Sequence, residues 1–316
     1  MSVGVIIVNW NSGPLLERCL AALAGQTRIP DIVTVIDNGS TDHSEDCASA
    51  RPGVLLVRAG KNLGFAAGNN LGLLHCPTEL VALLNPDAFP EPRWLETLLR
   101  AAESHPGCAA FGSRQLSGED PDVIDGIGDS YHFSGCVRRL RHGKRQDPED
   151  LVAREIFSAC AAAALYRRGV LDLVGGFDER FFCYVEDVDL GFRLRLAGYS
   201  ARYVPEAVVL HVGSATTGGQ HSDFSVYHGH RNLVWAYVKN MPGPLFWTFL
   251  PAHLLLNLAA LIIFSAQGRM GVIWRAKRDS LAQLHAVWLQ RKTIQRKRVA
   301  SVAAIWAVLD KRIYPR

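Results

Sequence analysis

The chain has 316 residues, 48% of them apolar, with a slightly positive mean hydropathy of +0.07. That is enough for one large domain or two ordinary ones. The formal charge of +4 is unevenly spread: residues 267–316 hold twelve Lys/Arg against two Asp, a net +10, which leaves −6 on residues 1–266. Cations confined to one end, without a nucleic-acid fold motif, argue against nucleic acid as a partner and for an anionic surface met by that end alone. Seven Cys without a CxxC pair argue against a disulfide framework. No basic and then apolar leader opens the chain, so the N-terminal part is expected in the cytosol.

In chain order, residues 3–8 form a continuous β-branched run, typical of a strand buried on both faces. Residues 15–23 have helical spacing, with Ser12 and Pro14 as cap and first turn. Strands are expected at 32–36, 54–58 and 80–84, with helices at 66–76 and 94–104. Alternation of this kind predicts an α/β fold: an open, mostly parallel sheet with helices on both faces. Residues 117–150 are rich in Gly, Asp, Arg and His, and read as long loops or short hairpins over a pocket. Beyond them come strands at 156–166 and 201–211, a helix at 187–197 between them, and a helical region at 227–240. An apolar stretch, 245–266, precedes the basic end.

Several strand ends break into small polar residues, where open α/β sheets hold ligands. Asp37-Asn38-Gly39-Ser40 closes the second strand; its carboxylate suits a base or ribose, and equally an Asx turn. Asn62-Leu63-Gly64, leading to Asn69, is a Gly-bearing loop that feeds a helix and can bring backbone amides close to a ligand. It lacks the P-loop and dinucleotide patterns. Pro86 ends the fourth strand, so Asp87 projects from the carboxyl edge as a hard oxygen ligand suited to Mg²⁺ or Mn²⁺, or as a turn residue. Glu186, Asp187 and Asp189 crowd a helix start beside the apolar "FFCYV", which suits either a general base or N-terminal helix caps. His211 ends a strand as Asp87 does, followed by Gly213 and Ser214.

Taken in order, "VNWN", "VIDNGSTD", "NLGFAAGNN", "LLNPD", "GGFDERFFCYVEDVDLGFR" and "LHVGS" resemble the inverting family-2 glycosyltransferases of GT-A fold, in particular the bacterial rhamnosyltransferase-like branch. The likeness runs over roughly three quarters of the chain. It implies a GT-A domain at 1–240, with a nucleotide-binding half (1–105) and an acceptor half (106–240). By the same resemblance Asp37 binds the nucleotide, with Asn9, Asn38, Asn62, Gly64 and Asn69 around it. Asp87 fills the last place of the family's Asp-x-Asp metal motif, and Asn85 stands where many members have the first Asp. His211 is then a second ligand of Mg²⁺ or Mn²⁺, Asp187 beside Glu186 is the base, and Arg231 reaches the diphosphate. The activity implied is inverting transfer from dTDP-rhamnose or a UDP-hexose to a lipid-linked glycan in cell-surface polysaccharide synthesis. Rival readings are a sugar-nucleotide nucleotidylyltransferase and a membrane-tethered, non-catalytic nucleotide-sugar binder.

Residues 241–316 are expected to be an apolar helix plus a basic amphipathic tail. Pro251, His253 and Asn257 interrupt the apolar run, and a single span would set the basic end against the positive-inside tendency. An in-plane or re-entrant helix follows, with the tail on anionic headgroups at the cytoplasmic face of the membrane. Packing against the catalytic domain or against a second subunit in a homo-oligomer is the alternative.

Overall fold

The computed structural model describes residues 1–213 and 222–312; Ser214 of the "LHVGS" motif and Arg316 of the basic end lie outside them. Strands β1 (Val3–Asn9), β2 (Ile32–Asp37), β3 (Val54–Arg58) and β4 (Leu80–Leu84) alternate with helices α1 (Leu15–Ala24), α2 (Asp46–Ser49) and α3 (Gly64–Leu74). They pair in parallel in the order β3-β2-β1-β4. Every residue of β4 is buried, as a strand covered on both faces requires. Gly68 and Gly72 let α3 lie close on β1: a Cβ at Gly72 would stand 2.4 Å from Ile6 Cγ2.

Beyond β4 follow β5 (Ala88–Pro90), α4 (Trp94–Ser104), β6 (Cys108–Ser117), β7 (Val123–Gly126), β8 (Asp129–Tyr131), β9 (Val137–Arg139), β10 (Lys144–Arg145), β11 (Arg154–Ile156), β12 (Ala163–Arg167), α5 (Arg168–Val174), α6 (Glu186–Leu196) and β13 (Ser200–His211). β12 enters antiparallel between β4 and β6, so the sheet is parallel in its first half and mixed beyond. β13 runs parallel to β6 and ends antiparallel to β5, with His211 opposite Ala88. The short hairpins expected over 117–150 include β8–β9, a separate two-stranded sheet that sets Asp129 opposite Arg139.

The single strand expected over 156–166 is two, because residues 157–162 use their backbone elsewhere. Phe157 donates to Asp129 O, Ala161 N–H donates to the Asp187 carboxylate, and Ala162 O accepts from Asn85 N–H.

The C-terminal part forms α7 (Asp223–Asn240), α8 (Gly243–Ala266), α9 (Met270–Ala282), α10 (Leu284–Arg296) and α11 (Val302–Val308). One apolar cluster joins Phe181, Val188 and Phe192 to Trp235, Tyr237, Met241, Phe246, Val287 and Ile305, so packing continues across residue 241. The basic end is therefore folded back rather than free: Trp235 Nε1 donates to Ser280 O, and Arg291 donates to Val238 O and Met241 O. α8 differs from its neighbours. Only Phe246, His253 and Ala260 of its 24 residues are buried, and it is the one described helix long and apolar enough to cross a membrane.

Candidate active site

The register of β13 on β5 carries His211 to Asp87. Val212 N–H donates to Asp87 O, and His211 Nε2 lies 3.3 Å from Asp87 Oδ1 and 3.5 Å from Asn85 Nδ2. The other ring nitrogen meets Asp125 Oδ2 at 2.9 Å, and Asp125 also holds Arg139 at 3.2 Å. Burial disfavours the charged ring, but the hydrogen bonds from Asp125 and Asp87 outweigh it and raise the His211 pKa to about 9. Burial likewise opposes ionisation of Asp87, and the His211 hydrogen bond overcomes it, keeping that carboxyl below its usual range.

Asp87 and His211 fit a hard divalent cation as a pair of ligands. Asp125 meets His211 at its other ring nitrogen, and among the described residues no three His, Cys, Asp or Glu are grouped so as to hold a metal ion. That suits Mg²⁺ or Mn²⁺, which keep several waters and share their sphere with substrate phosphates. To ligate, His211 must give up the proton it holds between the two aspartates.

Asn38, Asn62 and Gly64 line one cavity with Asn85 and Asp87, together with Trp10, Phe182 and Phe224. Asn38 ties the loops together: its amide donates to Gly64 O at 3.0 Å and its carbonyl accepts from Leu63 N–H at 3.2 Å. Gly64, at φ 81°, abuts Phe182; a Cβ there would meet the Phe182 carbonyl at 2.6 Å. Asp37 is buried and accepts from the N–H groups of Gly39 and Ser40, the arrangement of an Asx turn. Asn9 holds that turn through Ser40 Oγ and Ser44 Oγ.

Two expected nucleotide ligands are committed elsewhere. Asn69 is buried within α3 and donates to Phe65 O. Arg231 donates to the carbonyls of Arg180 and Phe181, and its guanidinium stacks on Trp235. Neither lines the cavity. Burial diverts both: a buried Arg is held by carbonyls and ring faces, so Arg231 steadies the loop ahead of α6.

That loop is strained. Phe182, Tyr184 and Val185 all have left-handed φ values, 64°, 67° and 70°, which a β-branched Val adopts rarely. It delivers Glu186 and Asp187 at the start of α6. Asp187 accepts from Ala161 N–H at 3.2 Å and Val188 N–H at 2.8 Å. Burial raises its pKa, opposed by the positive charge of Arg139. Glu186 is buried with Oε2 unpartnered, and burial followed by the Asp187 charge lifts its pKa well above the usual range. Asp189 is different: it is fully buried and paired with Arg193, Lys239 and Asn240, tying α6 to α7.

Sequence reasoning missed Asp125, Asp129 and Arg139. Asp129 is buried with Oδ2 unpartnered; desolvation, then the Asp187 charge, raises its pKa to about 8. Arg139 acts electrostatically on Asp125, Asp129 and Asp187 together. Contacts and field effects thus run from Asp87 through His211, Asp125 and Arg139 to Asp129 and Asp187. The only signal in the sequence was the density of Asp, Arg and Gly over 117–150.

The family model "Glycosyl transferase family 2" matches residues 4–175. The chain is 32% identical over 277 residues to the N-acetylglucosaminyl-diphospho-decaprenol L-rhamnosyltransferase of Mycobacterium tuberculosis, covering 77% of this chain and 88% of that protein. It is 28% identical over 235 residues to the O-antigen chain rhamnosyltransferase RfbN of Salmonella typhimurium, covering 72% and 73%. Among solved structures it resembles the Pyrobaculum calidifontis mannosyltransferase PcManGT in complex with GDP-Man and Mn²⁺. The TM-score there is 0.55 at 20% identity, over 96% of this chain and 86% of that one. The protein belongs to glycosyl transferase family 2. Family membership makes it a glycosyltransferase with relatives of rhamnosyltransferase type, which sets aside the nucleotidylyltransferase reading.

Proposed function

We propose that the protein transfers a sugar, rhamnose for preference, from a nucleotide diphosphate to a hydroxyl of a lipid-linked glycan, with inversion. The observation that carries this reading is the chain of contacts from Asp87 through His211 and Asp125 to Arg139, whose charge then acts on Asp129 and Asp187. Asp87 and His211 would hold a divalent cation, which would supply charge neutralisation for the departing diphosphate. Asn38, Asn62 and Gly64 hold the donor, with Asn9 and Asp37 shaping the turn beneath it. Asp187 accepts the acceptor's proton; burial makes it a stronger base than an exposed aspartate. Glu186 and Asp129 flank it, and burial followed by the Asp187 charge raises the pKa of both. Direct attack on the anomeric carbon through an oxocarbenium-like state inverts it.

The membrane end is part of the same proposal. Trp247, Leu254, Leu255, Leu258, Ile262 and Ile263 of α8 are exposed, and α9 adds exposed Trp274, followed by the exposed cations Arg275 and Arg278. An in-plane α8 on the cytoplasmic leaflet satisfies them. The test is donor hydrolysis and transfer across dTDP-rhamnose and UDP-hexoses with Mn²⁺ or with EDTA, the product anomer read by NMR. Full activity in EDTA removes the cation, and a retained anomer removes the single displacement. Flotation of the full chain on anionic liposomes, against a Trp247→Ser/Leu255→Ser/Ile262→Ser variant, tests the membrane face; equal flotation defeats it.

A further inference from the structure

A groove of about 620 Å³ lies between α8 on one side and α9 and α10 on the other, floored by Val234 and Val238 of α7. Its volume is within the range of about 300–1,000 Å³ that holds a small ligand. Leu254 and Leu258 on one lip and Leu281 on the other are more than half exposed, so the groove opens onto the face proposed above to meet lipid. The lining is apolar with one cation. Lys277 is buried, with Nζ on Asn257 Oδ1 at 2.6 Å and His230 O at 2.9 Å, and among the described residues no carboxylate pairs with it. Burial alone lowers its pKa to about 8. Arg291, packed against the groove residues Phe246 and Trp288, is likewise buried without a carboxylate partner among the described residues.

Buried cations are ordinarily paired. Two left unneutralised beside an apolar groove complement an amphiphile with a hydrocarbon tail and an anionic head. The groove is also connected to the active site. Lys277 bonds Asn257, Asn257 meets His253, and His253 Nδ1 reaches Ser134 O in the turn between β8 and β9. Those strands carry Asp129 and Arg139. The floor helix α7 carries Arg231 and Asn232, which hold the carbonyls of 180–184 ahead of Asp187.

We propose that this groove receives the first isoprenoid units of a prenyl-phosphate-linked acceptor, with Lys277 pairing to the phosphate. The inference rests on the lipid-linked acceptor of the proposed function and adds where its lipid part sits.

The experiment is calorimetric titration of the full-length protein with farnesyl phosphate, farnesol and inorganic diphosphate. Farnesyl phosphate should bind at least about tenfold more tightly than either of the others. Lys277→Met should remove that preference while leaving farnesol binding unchanged. Leu258→Trp should block both prenyl ligands, and Leu281→Trp, from the facing lip, repeats the block should the first variant fold poorly. All three variants should hydrolyse the nucleotide sugar at the wild-type rate. Equal binding of farnesol and farnesyl phosphate overturns the role of Lys277, and unchanged binding in both tryptophan variants overturns the site. A wild-type dimer that Leu258→Trp dissociates, without prenyl-phosphate binding, assigns the groove to a second copy and also overturns it. Prenyl-phosphate binding with no donor hydrolysis would instead defeat the enzymatic reading and leave the groove standing.

Discussion

The cavity proposed for the donor and the buried acid cluster around Asp187 treat their polar groups in opposite ways. Around Asn9, Asp37, Asn38 and Asn62 every side chain is engaged by a neighbouring loop. Around Asp187, Glu186 and Asp129 each keep an unpartnered buried oxygen, and three residues of left-handed φ lead into the helix. Buried unsatisfied carboxyls and off-region backbone each cost about 1–3 kcal/mol. In the proposed reading these costly groups are the reactive ones, and the cavity around Asn38 is a preformed mould. The contrast recurs two residues apart on α6, where Asp189 is paired with Arg193 and Lys239 and Asp187 is held by backbone N–H groups.

The sharpest way to break the contrast is Asp187→Asn. Transfer should fall by about 10²–10⁴-fold with donor affinity kept, measured by turnover and by nucleotide-sugar titration. Near-normal turnover would move the base elsewhere. Asp189→Ala should do the reverse: leaving Arg193 buried without its carboxylate, and Lys239 with Asp178 alone, costs about 3–5 kcal/mol of stability, read by denaturant unfolding, and a variant as stable as wild type would erase the distinction.

Asn38→Ala should weaken donor binding by about 1–3 kcal/mol, seen as a raised KM with kcat nearly unchanged. Mn²⁺ affinity should rise with pH by up to about tenfold per unit as His211 releases its proton, levelling off near its pKa of about 9; pH-independent affinity would remove His211 as a ligand. Arg139→Met should give the smallest effect. Arg139 holds the Asp187 pKa down, so its loss should move the acidic limb of the kcat/KM profile to higher pH.

The parallel half of the sheet was legible because β1 and β4 are unbroken apolar runs, and Asp87 and His211, which the structure brings within 3.3 Å, were singled out because each stands where an apolar run ends. What stayed hidden was the second half of the site. Asp125, Asp129 and Arg139 come together through three short strands, whose three- to four-residue patterns carry almost no periodicity. Arg231 and Asn69 look like ligands in a motif, but only packing reveals that their polar atoms are spent on carbonyls. The basic end was read as a surface tail because charge counts cannot tell exposed cations from Lys277 and Arg291, which are buried.

The pairing of β13 with the three-residue β5 has a consequence for assembly. Asp87 and His211 meet only if that antiparallel register is correct, and a slip of one residue would turn the imidazole to the opposite face. Since β13 comes late in the chain and also pairs with β6 and β11, the cation seat forms only when the last strand has docked. If Asp87 and His211 are the proposed cation ligands, divalent-ion affinity is a readout of completed folding.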